Sequence, residues 1–321
     1  MQLQTLHQRL TARGGLASEL TSDLAWLQTA MVNLYLIGPE GSSEWVLVDT
    51  GLPGFASRIE RAAAQRYGDF APQAIILTHG HFDHVGSLEK LLDRWMVPVY
   101  AHELELPYLT GRSDYPPPDP AVGGGLMARL APLYPRRAID LDGMVQPLPI
   151  DGSVPHMPGW RWIHTPGHTP GHISLYRDSD RTLIAGDAFT TQKQESLLAV
   201  LTNHQQIHGP PAYFTIDWMA AWQSVRHLAA LDPEIAATGH GIPITGIDAR
   251  SALHRLADRF GELAIPPDGR YVREPAIADA DGIVSVPPPI ASPYPRILAA
   301  TAVTALTLAA ISGSLARRRR H

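Results

Sequence analysis

Four side chains that can bind a metal ion fall within six consecutive residues of the sequence. Residues 78–84 read Thr-His-Gly-His-Phe-Asp-His and supply His79, His81, Asp83 and His84. Imidazole nitrogens and carboxylate oxygens are common ligands of Zn²⁺ and similar cations. Such groups buried without a metal would need several compensating hydrogen bonds. Four of them this close together would therefore cost free energy unless they bind a cation. The segment therefore predicts a metal site.

Further ligand-type side chains stand in glycine-marked turns later in the chain. Residues 164–172 read His-Thr-Pro-Gly-His-Thr-Pro-Gly-His, and the pairs Gly186-Asp187 and Gly239-His240 follow short apolar runs. A metal cleft at the rim of a sheet requires ligands that arrive from several strand ends. We therefore expect these turns to converge on residues 78–84.

The composition limits what such a site can use and bind. The 321 residues contain no cysteine, which excludes thiolate metal sites, iron–sulfur clusters, disulfides and a cysteine nucleophile. Lys and Arg number 26 against 31 Asp and Glu, giving a formal net charge of −5. Because no basic field attracts phosphate backbones, nucleic acid is not expected as a partner. The expected partner is a small-molecule substrate.

Apolar runs of strand length alternate with helical patterns and predict one α/β or α+β unit. The predicted strands are residues 31–37, 45–48, 74–77, 97–101, 160–163, 173–176 and 182–185. The predicted helices are residues 55–67, 86–95, 217–231 and 247–263. Residues 115–125 hold three consecutive prolines and three consecutive glycines, which predicts a loop over the surface of the domain.

Taken in order, these motifs resemble those of the metallo-β-lactamase superfamily of metal-dependent hydrolases. The similarity covers roughly residues 31–241 and rests on seven residues: His79, His81, Asp83, His84, His168, Asp187 and His240. Residues 164–172 and the Gly-Asp-Ala-Phe sequence around Asp187 are similar to the glyoxalase II-like branch. The resemblance implies an α+β fold, a four-layer αββα sandwich with the metals at one edge.

The resemblance also implies how two divalent metal ions, expected to be Zn²⁺, share the seven residues. One ion takes His79, His81 and His168, the other takes Asp83, His84 and His240, and Asp187 bridges the two. Supporting hydrogen bonds to these ligands are expected from three further residues: Asp49, His164 and His172.

A binuclear centre of this kind is expected to catalyse hydrolysis. Two divalent ions about 3.5 to 4 Å apart hold a bridging water and lower its pKa to about 7, which supplies a hydroxide nucleophile. The same ions polarise the attacked carbonyl or phosphoryl oxygen. Asp83 is expected to act catalytically by orienting the hydroxide or relaying a proton after attack. The predicted reaction is hydrolysis of an ester, a thioester or a lactone.

Other interpretations of the same motifs stay open. Relatives with persulfide dioxygenase activity use a single iron and share much of the motif, and phosphodiesterases share the fold. A tethered binding module with a relict site is disfavoured by the intact ligand set. β-Lactamases with a cysteine ligand are excluded, and Phe189 and Thr190 stand where lactonases tend to carry a tyrosine.

We expect four parts along the chain: an N-terminal extension (1–30), the catalytic domain (31–264), a proline-rich segment (265–295) and an apolar tail (296–321). The first 20 residues lack the apolar run of a secretory signal, which favours a cytoplasmic protein. Residues 297–316 form a 20-residue run without a charged side chain, followed by four arginines. A membrane-spanning helix that attaches the protein to a membrane and a helix packed on the domain both stay open.

Overall fold

The computed structural model describes residues 16–141 and 143–290, and its larger sheet has seven strands. The strands lie in sequence order across this first sheet: β1 (Ser18–Thr21), β2 (Leu24–Thr29), β3 (Val32–Ile37), β4 (Val46–Val48), β5 (Ala74–Ile76), β6 (Val99–Ala101) and β7 (Val145–Pro147). The pairs from β1 to β4 are antiparallel, and those from β4 to β7 are parallel.

A second sheet of five strands has the order β12-β11-β10-β9-β8. Its strands are β8 (Trp160–His164), β9 (Ile173–Arg177), β10 (Thr182–Ile184), β11 (Ile235–Ala237) and β12 (Ile244–Thr245). Strands β10 and β11 are parallel, and the other pairs are antiparallel. A separate hairpin follows, formed by β13 (Ile277–Asp279) and β14 (Gly282–Ser285).

The helices connect the strands and cover the sheets. They are α1 (Ala56–Tyr67), α2 (Phe82–Val85), α3 (Leu88–Trp95), α4 (Leu106–Leu109), α5 (Leu126–Leu130), α6 (Leu197–Thr202), α7 (Trp218–Ala229), α8 (Gly246–Asp258) and α9 (Phe260–Leu263). Short 3₁₀ turns occupy residues 103–105, 120–122 and 131–133. In α1 the buried residues Ile59, Ala62, Ala63 and Arg66 recur at helical spacing, so one stripe of the helix faces the sheet.

Three clusters of buried apolar side chains define four layers. The cluster between the two sheets includes Val48 and Ile76 of the first sheet and Leu175 and Ile184 of the second. A second cluster joins the outer face of the first sheet to α1 and α3, and a third joins the second sheet to α7 and α8. The layers run helix, sheet, sheet, helix, which confirms the predicted α+β, four-layer αββα sandwich.

The strand ends that precede the predicted ligands meet at one edge of the sandwich. In the first sheet β4 and β5 are parallel, and Asp49 and Thr78 follow them. In the second sheet β10 and β11 are parallel, and they precede Asp187 and His240. The backbone N–H of Ile173 donates to the carbonyl of Thr78 at 2.9 Å and joins the two sheets there. Ligands on both sheets therefore face a common cleft.

The first two strands lie within residues 1–30, which the sequence analysis assigns to an N-terminal extension. Strand β2 pairs with β3 along its whole length, from Leu24 opposite Ile37 to Thr29 opposite Val32. Strand β1 in turn pairs with β2. The described residues of this segment are part of the first sheet, so a boundary at residue 31 does not coincide with an edge of the fold.

The stretch 115–125 is not the surface loop that its composition predicts. Tyr115 is 4% exposed and Val122 8% exposed, so both lie in the interior. The backbone N–H of Asp119 donates to the carbonyl of Tyr213 at 2.7 Å and fixes the stretch to a neighbouring segment. Proline and glycine prevent long regular elements here, but the apolar side chains between them are still buried.

The described part of the proline-rich C-terminal segment, residues 265–290, packs on the domain. The Tyr271 hydroxyl donates to the carbonyl of Pro117 at 2.6 Å. The backbone N–H of Ala276 donates to the carbonyl of Ile216 at 3.1 Å. This segment therefore connects two distant parts of the chain that lie near the edge with the predicted ligands.

The predicted membrane-spanning run at residues 297–316 lies outside the described residues. Within residues 16–141 and 143–290, no helix has both the length and the apolar character needed to cross a membrane. The two interpretations of the tail stay predictions.

Replacing Trp45 by Ala is expected to destabilise the fold by about 3–5 kcal/mol, because it removes a large buried side chain. Trp45 is 1% exposed and stacks on Tyr67 with ring centroids 4.4 Å apart. Its ring also meets the edge of Trp95 at 5.7 Å. Urea unfolding of the two proteins measures the difference.

The matched control is Met96→Ala, since Met96 is 87% exposed at the end of α3. Exposed substitutions usually change stability by less than about 0.5 kcal/mol. A loss of stability at Trp45 no larger than that of the control would contradict the packing described for the outer face of the first sheet.

Candidate metal centre

The seven predicted ligands converge at the edge where the two sheets meet. The loop after β5 and helix α2 supply four of them, the β8–β9 loop supplies His168, and Asp187 and His240 follow β10 and β11. Three sets of ligand atoms each lie within 4.8 Å of one another: His79, His81 and His168; His79, His84 and Asp187; Asp83, His84 and His240. The structure thus brings together all seven residues, although they are spread from position 79 to position 240.

Asp187 lies between the two groups of histidines. Its Oδ2 atom is 3.1 Å from Nε2 of His240, 3.5 Å from Nε2 of His168 and 3.6 Å from Nε2 of His84. These distances place one carboxylate oxygen within reach of histidines from both predicted metal positions. The arrangement suits a carboxylate that bridges two cations.

Several buried atoms of the cluster have no protein partner, which tests whether the residues fit a metal. Among the described residues, His79 Nε2, His84 Nε2 and Asp187 Oδ1 are buried without a hydrogen bond. Each such orphaned atom costs about 1–3 kcal/mol. Across the cluster, His81 Nδ1 and His168 Nε2 face each other at 3.0 Å. Cations bound among these lone pairs would satisfy them, so the residues fit divalent metals.

The histidines fall into two electrostatic groups. Burial lowers the pKa of His81 to about 3, and it also lowers the pKa values of His79 and His168 well below the usual range for histidine. These three imidazoles are therefore neutral at neutral pH, the form that binds a metal. Burial acts in the same direction on His84, but the carboxylates of Asp187 and Asp49 outweigh it and raise the pKa of His84.

The buried carboxylate of Asp187 is ionised. Burial alone would raise its pKa, but the neighbouring His240 and His84 hold the pKa well below the usual range for aspartate. In return, the Asp187 carboxylate raises the pKa values of His84 and His240, so both histidines hold a proton more firmly when no metal is bound. Cations that take the place of these protons would release them, so metal affinity at this group is expected to fall as the pH falls.

Asp49 orients His84, as the resemblance implies. Its Oδ1 accepts the backbone N–H of Thr78 at 2.8 Å, and its Oδ2 accepts the Thr78 hydroxyl at 2.8 Å. The same Oδ2 lies 2.8 Å from His84 Nδ1. When His84 Nδ1 donates to this carboxylate, Nε2 is left as the ligand atom that faces the cluster.

His172 and His164 occupy different environments although both lie four residues from His168. His172 is fully buried, and its Nε2 accepts the backbone N–H of Asp187 at 2.8 Å, so it contacts one of the predicted ligands. The structure does not bring His164 to the ligands. It is the exposed last residue of the edge strand β8, its Nε2 donates to the carbonyl of Pro170 at 2.8 Å, and its ring stacks on His102.

Three residues that the sequence analysis does not include among the predicted site residues also contact the site. The ring of His81 lies between those of Tyr115 and Phe214, with both centroid distances 4.5 Å. Glu105 is fully buried beneath the loops that carry the ligands. Its neighbour Glu103 is exposed, and nothing in the local sequence distinguishes the two glutamates.

Comparison with known proteins identifies the family. Residues 28–240 match the sequence profile of the Metallo-beta-lactamase superfamily, a span that includes all seven predicted ligands. The chain belongs to this superfamily.

Two curated relatives of this metallo-β-lactamase superfamily chain come from Bacillus subtilis (strain 168). "Probable metallo-hydrolase YflN" is 50% identical over 79% of this chain and 97% of its own length. "Probable metallo-hydrolase YybB" is 33% identical over 61% of this chain and 74% of its own length. The resemblance inferred from the motifs is therefore confirmed at the level of the superfamily, and the glyoxalase II-like branch stays a prediction.

Solved structures show the same metallo-β-lactamase fold. A B3 metallo-beta-lactamase with an active-site glutamic acid matches with a TM-score of 0.53 and 19% identity, over 82% of this chain and 96% of that one. A beta-lactamase domain protein from Burkholderia ambifaria matches with a TM-score of 0.52 and 19% identity, over 76% of each chain.

Removal of metal is expected to lower the melting temperature, because the cluster assembles only in the folded chain. Metal at 100 times its Kd stabilises the folded state by about 2.7 kcal/mol. Each kcal/mol corresponds to about 2–4 °C for a domain of this size. Thermal unfolding after chelation, and again after Zn²⁺ is restored, measures the shift.

Matched variants locate the effect. His240→Ala removes one ligand and is expected to reduce the shift, whereas His204→Ala changes an exposed histidine outside the cluster and keeps it. Equal melting temperatures for the chelated and Zn²⁺-supplemented wild-type protein would show that the cluster does not bind this metal.

Proposed function

We propose that this protein is a binuclear metal-dependent hydrolase that cleaves an ester, a thioester or a lactone. The observation that carries the proposal is the set of buried ligand atoms on His79, His84 and Asp187 that have no partner within the described residues. The convergence of seven ligand-type side chains around them supports it. So does the 50% identity to a relative described as a probable metallo-hydrolase.

Two of the three ligand sets correspond to the proposed metal positions, and the third, His79 with His84 and Asp187, contains residues of both. His79, His81 and His168 form the first position, Asp83, His84 and His240 form the second, and Asp187 serves both. Nitrogen and oxygen ligands without sulfur suit Zn²⁺, which we propose as the metal. When bound, two divalent cations supply a hydroxide nucleophile at neutral pH and a positive charge for the oxygen of the attacked carbonyl.

Asp83 is the residue proposed to move the proton. Its side chain is 13% exposed, whereas those of His240 and Asp187 are 3% and 2% exposed, so Asp83 faces the opening of the cleft. Burial raises its pKa above the usual range for aspartate, against the opposing effect of His84 and His240. A carboxylate at the opening of the cleft can accept a proton and pass it to the leaving group.

Aromatic side chains beside Asp83 favour an apolar group on the substrate. The ring of Tyr134 lies 5.9 Å from that of Phe82 and 6.1 Å from that of Phe214, centroid to centroid. Phe82 and Tyr134 are partly exposed, so their faces are available to a bound molecule. We propose that the aromatic surface formed by Phe82, Tyr134 and Phe214 contacts the apolar part of the acyl group, while the substrate carbonyl reaches the metal centre.

The variants His81→Ala and Asp83→Ala are each expected to lower kcat/KM by about 100-fold or more. Loss of a proton-transfer group costs typically about 10²–10⁴-fold, and loss of a metal ligand weakens the centre that would supply the nucleophile. The assay is a panel of thioesters, esters, lactones and phosphodiesters. Metal content of each purified protein is measured alongside.

His164→Ala is the matched control, since His164 belongs to the same histidine-rich segments but lies away from the ligands. It is expected to keep full activity. An Asp83→Ala enzyme with wild-type turnover would contradict the assignment. Iron in the purified protein, together with oxygen uptake on a persulfide substrate, would instead indicate the dioxygenase alternative.

A further inference from the structure

We propose that Glu105 is a positioning residue that joins the two loops of the first metal position and thereby sets its affinity. The proposal rests on the proposed metal centre and concerns the position formed by His79, His81 and His168. Glu105 belongs to the short 3₁₀ turn after β6 and contributes no atom to the three ligand sets.

The carboxylate of Glu105 receives four hydrogen bonds in the protein interior. Its Oε1 accepts the Thr169 hydroxyl at 2.7 Å and the backbone N–H of Gly171 at 2.9 Å. Its Oε2 accepts the backbone N–H of Gly80 at 2.9 Å and the hydroxyl of Tyr115. The residue is 0% exposed, so these donors replace water entirely. A buried carboxylate with this many donors is held in one orientation.

Three of the four donors belong to the loops that carry the first set of ligands, and the fourth, Tyr115, packs on the ring of His81. Gly80 lies between His79 and His81, and Thr169 directly follows His168. One carboxylate therefore joins two loops that are distant in the sequence, since Gly80 lies 25 positions from Glu105 and Thr169 lies 64 positions from it. Across this span the rings of His81 and His168 lie 4.7 Å apart, centroid to centroid.

The loops pack on Glu105 without room for adjustment. A Cβ atom added to Gly171 would lie 2.8 Å from both Cγ and the backbone nitrogen of Glu105. A Cβ atom added to Gly80 would lie 2.7 Å from the Tyr115 hydroxyl. Because both glycines approach so closely, a shift of the carboxylate would shift the loops and the imidazoles they carry. Ligand positions fixed in advance of binding raise metal affinity.

The second metal position has its own carboxylate. Asp49 bonds directly to His84, a ligand of the second position, and to Thr78, whose hydroxyl lies 3.1 Å from Nδ1 of His79. Glu105 has none of these partners and instead bonds to both loops of the first position. A Glu105 variant should therefore act on the first position, whereas an Asp49 variant should act mainly on the second, through its direct contact with His84, and this difference distinguishes positioning from general stability.

The test compares Glu105→Gln with Asp49→Asn in the full chain. Gln has nearly the same size as Glu, but its amide NH₂ group replaces one carboxylate oxygen. That group would face two of the four donors that now bond to Glu105. Titration with Co²⁺ against a competing chelator, followed by absorption, measures two binding steps. We expect Glu105→Gln to weaken one step by about 10–100-fold and leave the other near its wild-type value. Asp49→Asn should weaken the other step.

The step is assigned by comparison with His168→Ala and His240→Ala, which each remove a ligand from one position. Thr169→Val and Tyr115→Phe each delete one donor to Glu105, and we expect a smaller weakening of the same step. If Glu105→Gln does not fold, Thr169→Val and Tyr115→Phe provide the test in its place. Their metal-free melting temperatures should stay close to that of the wild-type protein.

Three results would overturn the proposal. One is wild-type affinity for both Co²⁺ ions in Glu105→Gln. Another is equal weakening of both steps together with a lower melting temperature of the metal-free variants, which would indicate general destabilisation. A wild-type chain that binds no Co²⁺ would overturn the metal centre itself, and this result is distinct from the first two.

Discussion

The constraint on which the rest of the structure depends is the cost of burying ligand groups that have no partner of their own. Asp187 is 2% exposed and lies at the centre of the cluster, with its Oδ1 atom free of any hydrogen bond from the described residues. A few orphaned atoms at about 1–3 kcal/mol each are a substantial fraction of a typical folding stability of about 5–15 kcal/mol. The cluster is therefore complete only when positive charge is present. Protons on His84 and His240 provide it in part, and divalent cations would provide it fully.

Backbone geometry at the strand ends brings the ligand groups this close. Asp49 adopts a φ of 61°, which is unusual for a residue other than glycine, and its hydrogen bonds to Thr78 and His84 offset the strain. Gly239 leaves space beside Asp187, because a Cβ atom there would collide with the Asp187 carboxylate. The two sheets thus supply rigid ends, and the strained or glycine residues just beyond them let the side chains meet.

The density of ligand groups in six residues was enough to predict a metal site there, and the resemblance of the ordered motifs to the metallo-β-lactamase superfamily supplied the four-layer fold. The sequence could not distinguish His164 from His172, since both lie four residues from His168 in the same repeated motif. Only the position of His164 at the end of an edge strand makes it exposed. Glu105 was missed for a related reason. Its burial depends on contacts with loops far away in the sequence, whereas its neighbour Glu103 remains at the surface.

The C-terminal segment has a consequence for the size of the unit that must be kept intact. Tyr271 and Ala276 bond to Pro117 and Ile216, which stand two residues from Tyr115 and Phe214, the two rings on either side of His81. The family profile ends at residue 240, before this segment begins. A fragment that ends at residue 240 would keep every predicted ligand. It would lose the hydrogen bonds from Tyr271 and Ala276 to the segments that carry Tyr115 and Phe214. The smallest fragment that keeps these contacts is therefore longer than the span that matches the family profile.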